Sequence, residues 1–224
     1  MRFKNREHAA NLLVDRLSPF YKNKYPLVLG IPRGAVPMAG IIADALGGEL
    51  DVVLVRKLGH PLQPELAIGA IDENGNVFLS DYAFEIEPEY LDLEKNRQLE
   101  VLQRRRAQYT PQRRPIDAHD RIVIVVDDGI ATGSTMTAAL RAVRAQKPKK
   151  LIGAVAVASP DAARAMLHEA DAMVCLKVPA DFQAVGRFFD DFGQVSDQDV
   201  IAALRNAGAK ISAVASAHQS FSQR

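Results

Sequence analysis

The stretch that most limits how this chain can fold runs from Arg121 to Arg144, RIVIVVDDGIATGSTMTAALRAVR. It opens on the apolar, β-branched run Ile122-Val123-Ile124-Val125-Val126, too short for a helix and of the kind found in a strand covered on both faces. Asp127 and Asp128 stand at its carboxyl end. Gly129 and Gly133 follow, with Thr132, Ser134 and Thr135 around them, and helical spacing resumes at Met136, Leu140 and Val143. Strand, small-residue loop and helix in this order direct backbone N–H groups and a helix N-terminus at an anion. The hydroxyls of Thr132, Ser134 and Thr135 add donors to the same place.

A phosphate suits such a loop, but the loop is not a nucleotide P-loop. That motif needs Lys and then Ser or Thr after its second Gly, whereas Gly133 is followed by Ser134-Thr135, and the G-x-G-x-x-G dinucleotide pattern is missing as well. The two carboxylates would repel a phosphate, so they should face another part of the ligand, such as sugar hydroxyls or a hydrated cation. A ribose 5-phosphate has all these features. The run Val125-Val126-Asp127-Asp128-Gly129-Ile130-Ala131-Thr132-Gly133-Ser134-Thr135 resembles the phosphoribosyl diphosphate (PRPP) motif of type I phosphoribosyltransferases at every defining position. A Gly- and Thr-rich βα turn of an ordinary α/β protein is the alternative reading.

The resemblance implies an α/β fold: a Rossmann-like parallel sheet flanked by helices, with a mobile hairpin and helix insertion and a small hood. It implies Mg²⁺-dependent transfer of the phosphoribosyl group of PRPP to a nucleobase or similar nitrogen nucleophile, releasing diphosphate. Asp127 and Asp128 would act on the ribose hydroxyls and hold the metal through water, Ala131, Thr132, Gly133, Ser134 and Thr135 would anchor the 5-phosphate, and Gly129 and Ile130 would also touch the substrate. In the family a loop after the first core strand binds the diphosphate, often through a non-proline cis peptide. It maps to Pro32 to Ala35, with Arg33 and Gly34 at the turn. Arg56 and Lys57 would join Asp127 and Asp128 as catalytic groups, meeting the departing diphosphate beneath a flexible loop. Members acting on 6-oxopurines usually carry Asp where this chain has Ala131, which weighs against a hypoxanthine–guanine enzyme. No residue stands out as general base. The second reading is a PRPP-binding regulator or sensor with weak or no catalysis. The Arg56-Lys57 pair favours the enzyme, and the lack of a DNA-binding domain disfavours a repressor.

Along the chain, Arg2 to Phe20 has helical spacing with one wet face. Leu27 to Ile31 is a short strand followed by Pro32-Arg33-Gly34 and a helix through Leu46. Asp51 to Val55 is expected to be one core strand that delivers Arg56-Lys57 at its carboxyl end, where ligands of open α/β sheets gather. Asn74-Gly75 between Ala67–Ile71 and Asn76–Leu79 signals a hairpin. His60, in a Pro-rich loop, reads as a surface residue. Pro88 to Tyr109 is a long amphipathic helix that either belongs to the insertion or makes an oligomer contact, such as that of a homodimer. Its Arg104-Arg105-Arg106 run reads as a solvated helix end favoured by the dipole, or else as a contact for RNA or an acidic partner. Leu151 to Ala158 and Asp171 to Val178 complete the sheet, with a helix capped near Ser159 between them.

Phe182, Phe188, Phe189 and Phe192 cluster beside Arg187, Asp190 and Asp191. Phe182, Arg187, Phe188 and Phe189 are the candidates for a nucleobase pocket; the alternative is that these rings pin the last segment to the core. The domain is expected to span 1–205, with the insertion at about 58–115 and the hood at about 178–205. A tail follows over 206–224, frayed from about Ala213. The formal net charge of +1 gives no global field for nucleic acid or membrane. The single cysteine, Cys175, excludes an internal disulfide and reads as a buried strand residue. No apolar run approaches the ~20 residues of a membrane span, so the expected location is cytoplasmic.

Overall fold

The computed structural model describes residues 2–63, 66–80, 83–84, 86–111 and 113–208. A five-stranded sheet has the order β2-β1-β6-β7-β8. Its strands are β1 (Leu27–Gly30), β2 (Glu49–Val52), β6 (Ile122–Ile130), β7 (Lys150–Ala158) and β8 (Ala172–Lys177), and every pairing is parallel. Along β6, Ile124 and Val126 enter one buried cluster while Val123 and Val125 enter the other, which is why this run shows no polar alternation. On the first face lie α1 (Arg6–Tyr21) and α2 (Ala35–Leu46), through Leu13, Leu17, Met38 and Ile42. On the second lie α4 (Ser134–Ala145) and α5 (Pro160–Met166), through Met136, Leu140, Val143 and Ala162. Caps set the helix starts as their residue types dictate: the Asn5 side chain accepts from the N–H of His8, and that of Ser159 from the N–H of Ala162.

The expected strand from Asp51 to Val55 is two strands. Its partner β1 ends at Gly30, opposite Val52, so after the N–H of Val53 donates to the carbonyl of Gly30 the chain has no ladder left to join. It turns into a second, antiparallel sheet of order β3-β4-β5, formed by β3 (Val55–Gly59), β4 (Ala67–Asp72) and β5 (Val77–Leu79). The insertion therefore begins at Val55, and it ends with α3 (Pro88–Tyr109). The Asn74-Gly75 turn forms as expected, with Asp72 Oδ1 accepting the N–H groups of Asn74 and Asn76.

Arg106 corrects the reading of the three-arginine run. Its side chain is only 11% exposed and ties α3 to β2 and to the β4–β5 turn. Nη1 lies 2.8 Å from Asp51 Oδ1 and Nη2 2.5 Å from Glu73 Oε1. Asp51, 1% exposed, also accepts from Arg113 and from the N–H of Ile116. Of the three arginines only Arg104 is exposed.

The hood is built together with the N-terminus. Phe3 forms a parallel bridge with Phe189, and the N–H groups of Asp190 and Asp191 donate to the carbonyls of Phe3 and Lys4. A 3-10 turn at Val185–Phe188 precedes this bridge, and helical residues 197–208 follow it, so 206–208 continue a helix. The expected fraying beyond Ala213 lies outside the described residues. Cys175 is a half-buried strand residue, its thiol pKa raised by burial. Among the described residues no helix is long and apolar enough to cross a membrane.

Candidate active site

At the carboxyl end of β6 the chain makes the anticipated turn. Gly133 adopts φ +82° as the residue before α4, a left-handed conformation that L side chains resist. The hydroxyl of Ser159 donates to the carbonyl of Ala131 (2.6 Å), and the N–H of Ser159 to that of Ile130 (3.0 Å), which holds the turn from β7. Among the described residues, the N–H groups of Thr132, Gly133, Thr135 and Met136 have no protein acceptor. They surround a cup of about 200 Å³ lined by Asp127 and by Gly129 through Met136. Such a cup can take an anion at the positive end of α4.

The two acids face different ways. Asp127 belongs to the cup and accepts the N–H of Asp128 (2.9 Å). Asp128 opens instead on a neighbouring cleft of about 470 Å³, lined also by Arg6, Arg33, Gly34, Val185 and Phe192 through Val195. Arg6, from the first turn of α1, places Nε 2.8 Å from Asp128 Oδ2. It also donates through Nη1 to the carbonyl of Gly193 (2.7 Å), and its guanidinium carbon lies 3.8 Å from the centre of the Phe192 ring. Burial, and then the charge of Asp128, push the Asp127 carboxyl well above its ordinary range. Burial also raises Asp128, while the charge and hydrogen bond of Arg6 act against the rise. A ligand bringing hydroxyl donors or positive charge would relieve both acids.

The loop after β1 closes the other side of the cleft. Its Pro32–Arg33 bond is cis, inside the stretch mapped from the resemblance and one bond ahead of Arg33-Gly34. Gly34 has ordinary helical angles, so its need for glycine is spatial: a Cβ there would fall 2.3 Å from Asp128 Oδ2. Arg33 Nη1 lies 3.8 Å from Asp197, whose other carboxylate oxygen accepts the Tyr109 hydroxyl at 2.5 Å. Burial and that bond push Tyr109 up to about 12.

Arg56 and Lys57 part company. Successive residues of β3 face opposite sides, and Arg56 turns to α3, where it donates to Gln98, itself bonded to Glu94 at 2.8 Å. Arg56 is therefore held away from the cleft, against the expectation that both cations meet the diphosphate. Lys57 lines a separate pocket of about 170 Å³ beside the cup, shared with Thr132, Ser134 and Arg141. His60 is half-buried and accepts the N–H of Leu62 within its own turn.

The proposed base pocket is also revised. Phe189 is 1% exposed and packs on Phe3 and Phe192, at ring separations of 5.2 and 4.9 Å, so it pins the hood to the N-terminus. Phe182 and Phe188 stack on each other at 5.7 Å, and Arg187 bonds to Gln183. None of these four lines the cleft; Val185 and Phe192 through Val195 take that place. Sequence reasoning missed Arg6, Gly193, Gln194 and Asp197 altogether. Each reaches the site from an element that carries no motif of its own.

The family model described as a phosphoribosyl transferase domain matches residues 3–191. Mycobacterium tuberculosis proteins from strains CDC 1551 and H37Rv, each provisionally named a phosphoribosyl transferase, are 41% identical over 208 residues, or 92% of this chain. The chain spans about half the length of these curated relatives, 47%. The crystal structure of TT1426 from Thermus thermophilus superposes with a TM-score of 0.83 at 46% identity, covering 91% of this chain and 98% of that one.

Proposed function

This chain belongs to the phosphoribosyl transferase domain family, and we propose that it moves the phosphoribosyl group of PRPP onto a nitrogen of a nucleobase-like acceptor. One observation carries the reading. Two adjacent carboxylates divide between a polar cleft and a cup of unmatched amides, so a sugar's hydroxyls and its 5-phosphate could be held at the same time. Asp127 and Asp128 would accept the ribose hydroxyls, and the amides and hydroxyls of Ala131 through Thr135 would hold the phosphate. The diphosphate would then lie toward Arg33 and Gly34.

In the reaction the bond between C1 and the diphosphate oxygen breaks with its electron pair leaving on the diphosphate. The acceptor nitrogen bonds to C1 and loses its proton. The protein's part is to fix the ribose between cup and cleft and to stabilise the developing charges. Arg33 and Lys57 would face the negative charge, and the two carboxylates the cationic ribose ring.

The residues fit Mg²⁺ as an ion shared with substrate. Asp127 and Asp128 are the acids at hand, one of them already paired with Arg6, and among the described residues no cluster of three or more potential ligands exists to cage a metal alone. Asp127 and Asp128 would hold it through water, and when bound it would offset the charge of the diphosphate.

The test is diphosphate release from PRPP across a panel of purine, pyrimidine and carboxylated ring acceptors, beside calorimetric binding of PRPP with and without Mg²⁺. Turnover with one acceptor is the expected result. PRPP binding without turnover on any acceptor would make the protein a sensor, and failure to bind PRPP would overturn the reading.

A further inference from the structure

Arg6 lines the cleft, although α1 carries no site motif. Its guanidinium has three polar corners. Nε is committed to Asp128 and Nη1 to the carbonyl of Gly193, while the flat face rests on Phe192. Among the described residues Nη2 has no hydrogen-bond partner. It lies beside Gly34: a Cβ built there would come within 3.1 Å of Nη2. The open corner of the fork thus borders the loop that the proposed function gives to the diphosphate.

The charges around it favour the same use. With Arg56 turned to Gln98, the cations lining the cleft are Arg6 and Arg33. Arg33 is shared with Asp197 at 3.8 Å. Arg6 is only 15% exposed at its side chain, and its fixed planar fork can serve two anions at once without reorganising. A guanidinium already held on three sides gives up little side-chain freedom when a fourth partner arrives.

We propose that Arg6 is a direct ligand of the diphosphate of PRPP, donating through Nη2 while Nε stays on Asp128. This rests on the PRPP reading above. As the bond from C1 breaks, the electron pair passes to the diphosphate oxygen, and Arg6 meets that charge from the Gly34 side.

The test is calorimetric binding, in the presence of Mg²⁺, of three probes to the full chain: PRPP, inorganic diphosphate and ribose 5-phosphate. Arg6→Gln should weaken PRPP and diphosphate by about tenfold or more and leave ribose 5-phosphate within about twofold. Arg6→Lys, which keeps the charge and loses the fork, should fall between. Unchanged affinity for PRPP and diphosphate in either variant would overturn the proposal. So would a loss of ribose 5-phosphate affinity in proportion, because that is what a residue that only positions Asp128 and the hood would give. If Arg6→Gln melts early, Arg6→Lys is read by the same three affinities. A wild-type chain that binds ribose 5-phosphate but not PRPP defeats the function reading itself, an outcome separate from a wild type that binds PRPP and a variant that binds it equally well.

Discussion

Gly34→Ala tests the geometry of the cleft with a single methyl group. The backbone at Gly34, φ −55° and ψ −37°, suits alanine, so the substitution by itself should stabilise the fold by about 0.4–1 kcal/mol through the unfolded chain. The obstacle is Asp128, whose Oδ2 would lie 2.3 Å from the new Cβ, with Arg6 Nη2 at 3.1 Å. The carboxylate must withdraw by about 0.7 Å or more to reach a tolerable contact. It is held by the 2.8 Å bond to Arg6, so withdrawal lengthens or breaks a partly buried, charge-assisted hydrogen bond of about 1.5–3 kcal/mol. The two effects leave a net destabilisation of about 0.5–2.6 kcal/mol. The functional loss should be larger, because a displacement approaching 1 Å at a reacting group costs about 10²-fold. Urea unfolding gives the first quantity; PRPP binding and diphosphate release give the second. A Gly34→Ala protein that binds and turns over PRPP as the wild type does would refute the placement of Gly34, Asp128 and the ligand in one cleft.

Asp127→Asn keeps the acceptor for the Asp128 N–H and removes a charge that burial opposes. An acid whose folded pKa is raised contributes stability that is present below its unfolded pKa and is lost as pH rises through the folded value. The variant should therefore gain stability relative to wild type as pH climbs through and above the carboxylate range, while losing PRPP affinity; equal or lower stability at neutral pH would count against it. Arg106→Ala leaves Asp51 and Glu73 without their main cation and should cost about 3–5 kcal/mol in urea unfolding, whereas Arg104→Ala should stay within about 0.5 kcal/mol. Lys57→Ala should weaken PRPP binding about tenfold, while Arg56→Met, whose guanidinium is bonded to Gln98, should alter the protease sensitivity of the insertion more than ligand affinity. Equal affinity losses in the two variants would contradict the division between the two faces of β3.

The parts of the site legible in the sequence are those made by consecutive residues. Ile122 to Thr135 specify a strand, a turn and a helix start within one stretch, so the composition of the turn already implies its amides and its acids. The same holds for the hairpin at Asn74-Gly75, for Ser159 as a cap and for the span of α3, whose ends are marked by Pro88 and Thr110-Pro111. Misreadings arose where a local pattern had two tertiary outcomes. Asp51 to Val55 is apolar enough for one strand, yet it divides because β1 is only four residues long. Phe182, Phe188 and Phe189 have the character of a stacking surface, and Phe189 is drawn inward because Phe3 supplies the strand it pairs with.

Arg6 shows the limit in its sharpest form. It is 122 residues from Asp128 and 187 from Gly193, and nothing near it in the chain resembles a site. Its position follows from topology: α1 crosses the face of the sheet that also carries α2, and Asn5 caps α1 at the end where β6 delivers the acids. The first turn of that helix is therefore obliged to meet the carboxyl edge of the sheet. A cation in that turn answers a physical need, because two adjacent, partly buried carboxylates repel each other and an anionic ligand alike. The acids imply a counter-charge somewhere, and only the crossing of α1 over the sheet determines which arginine supplies it.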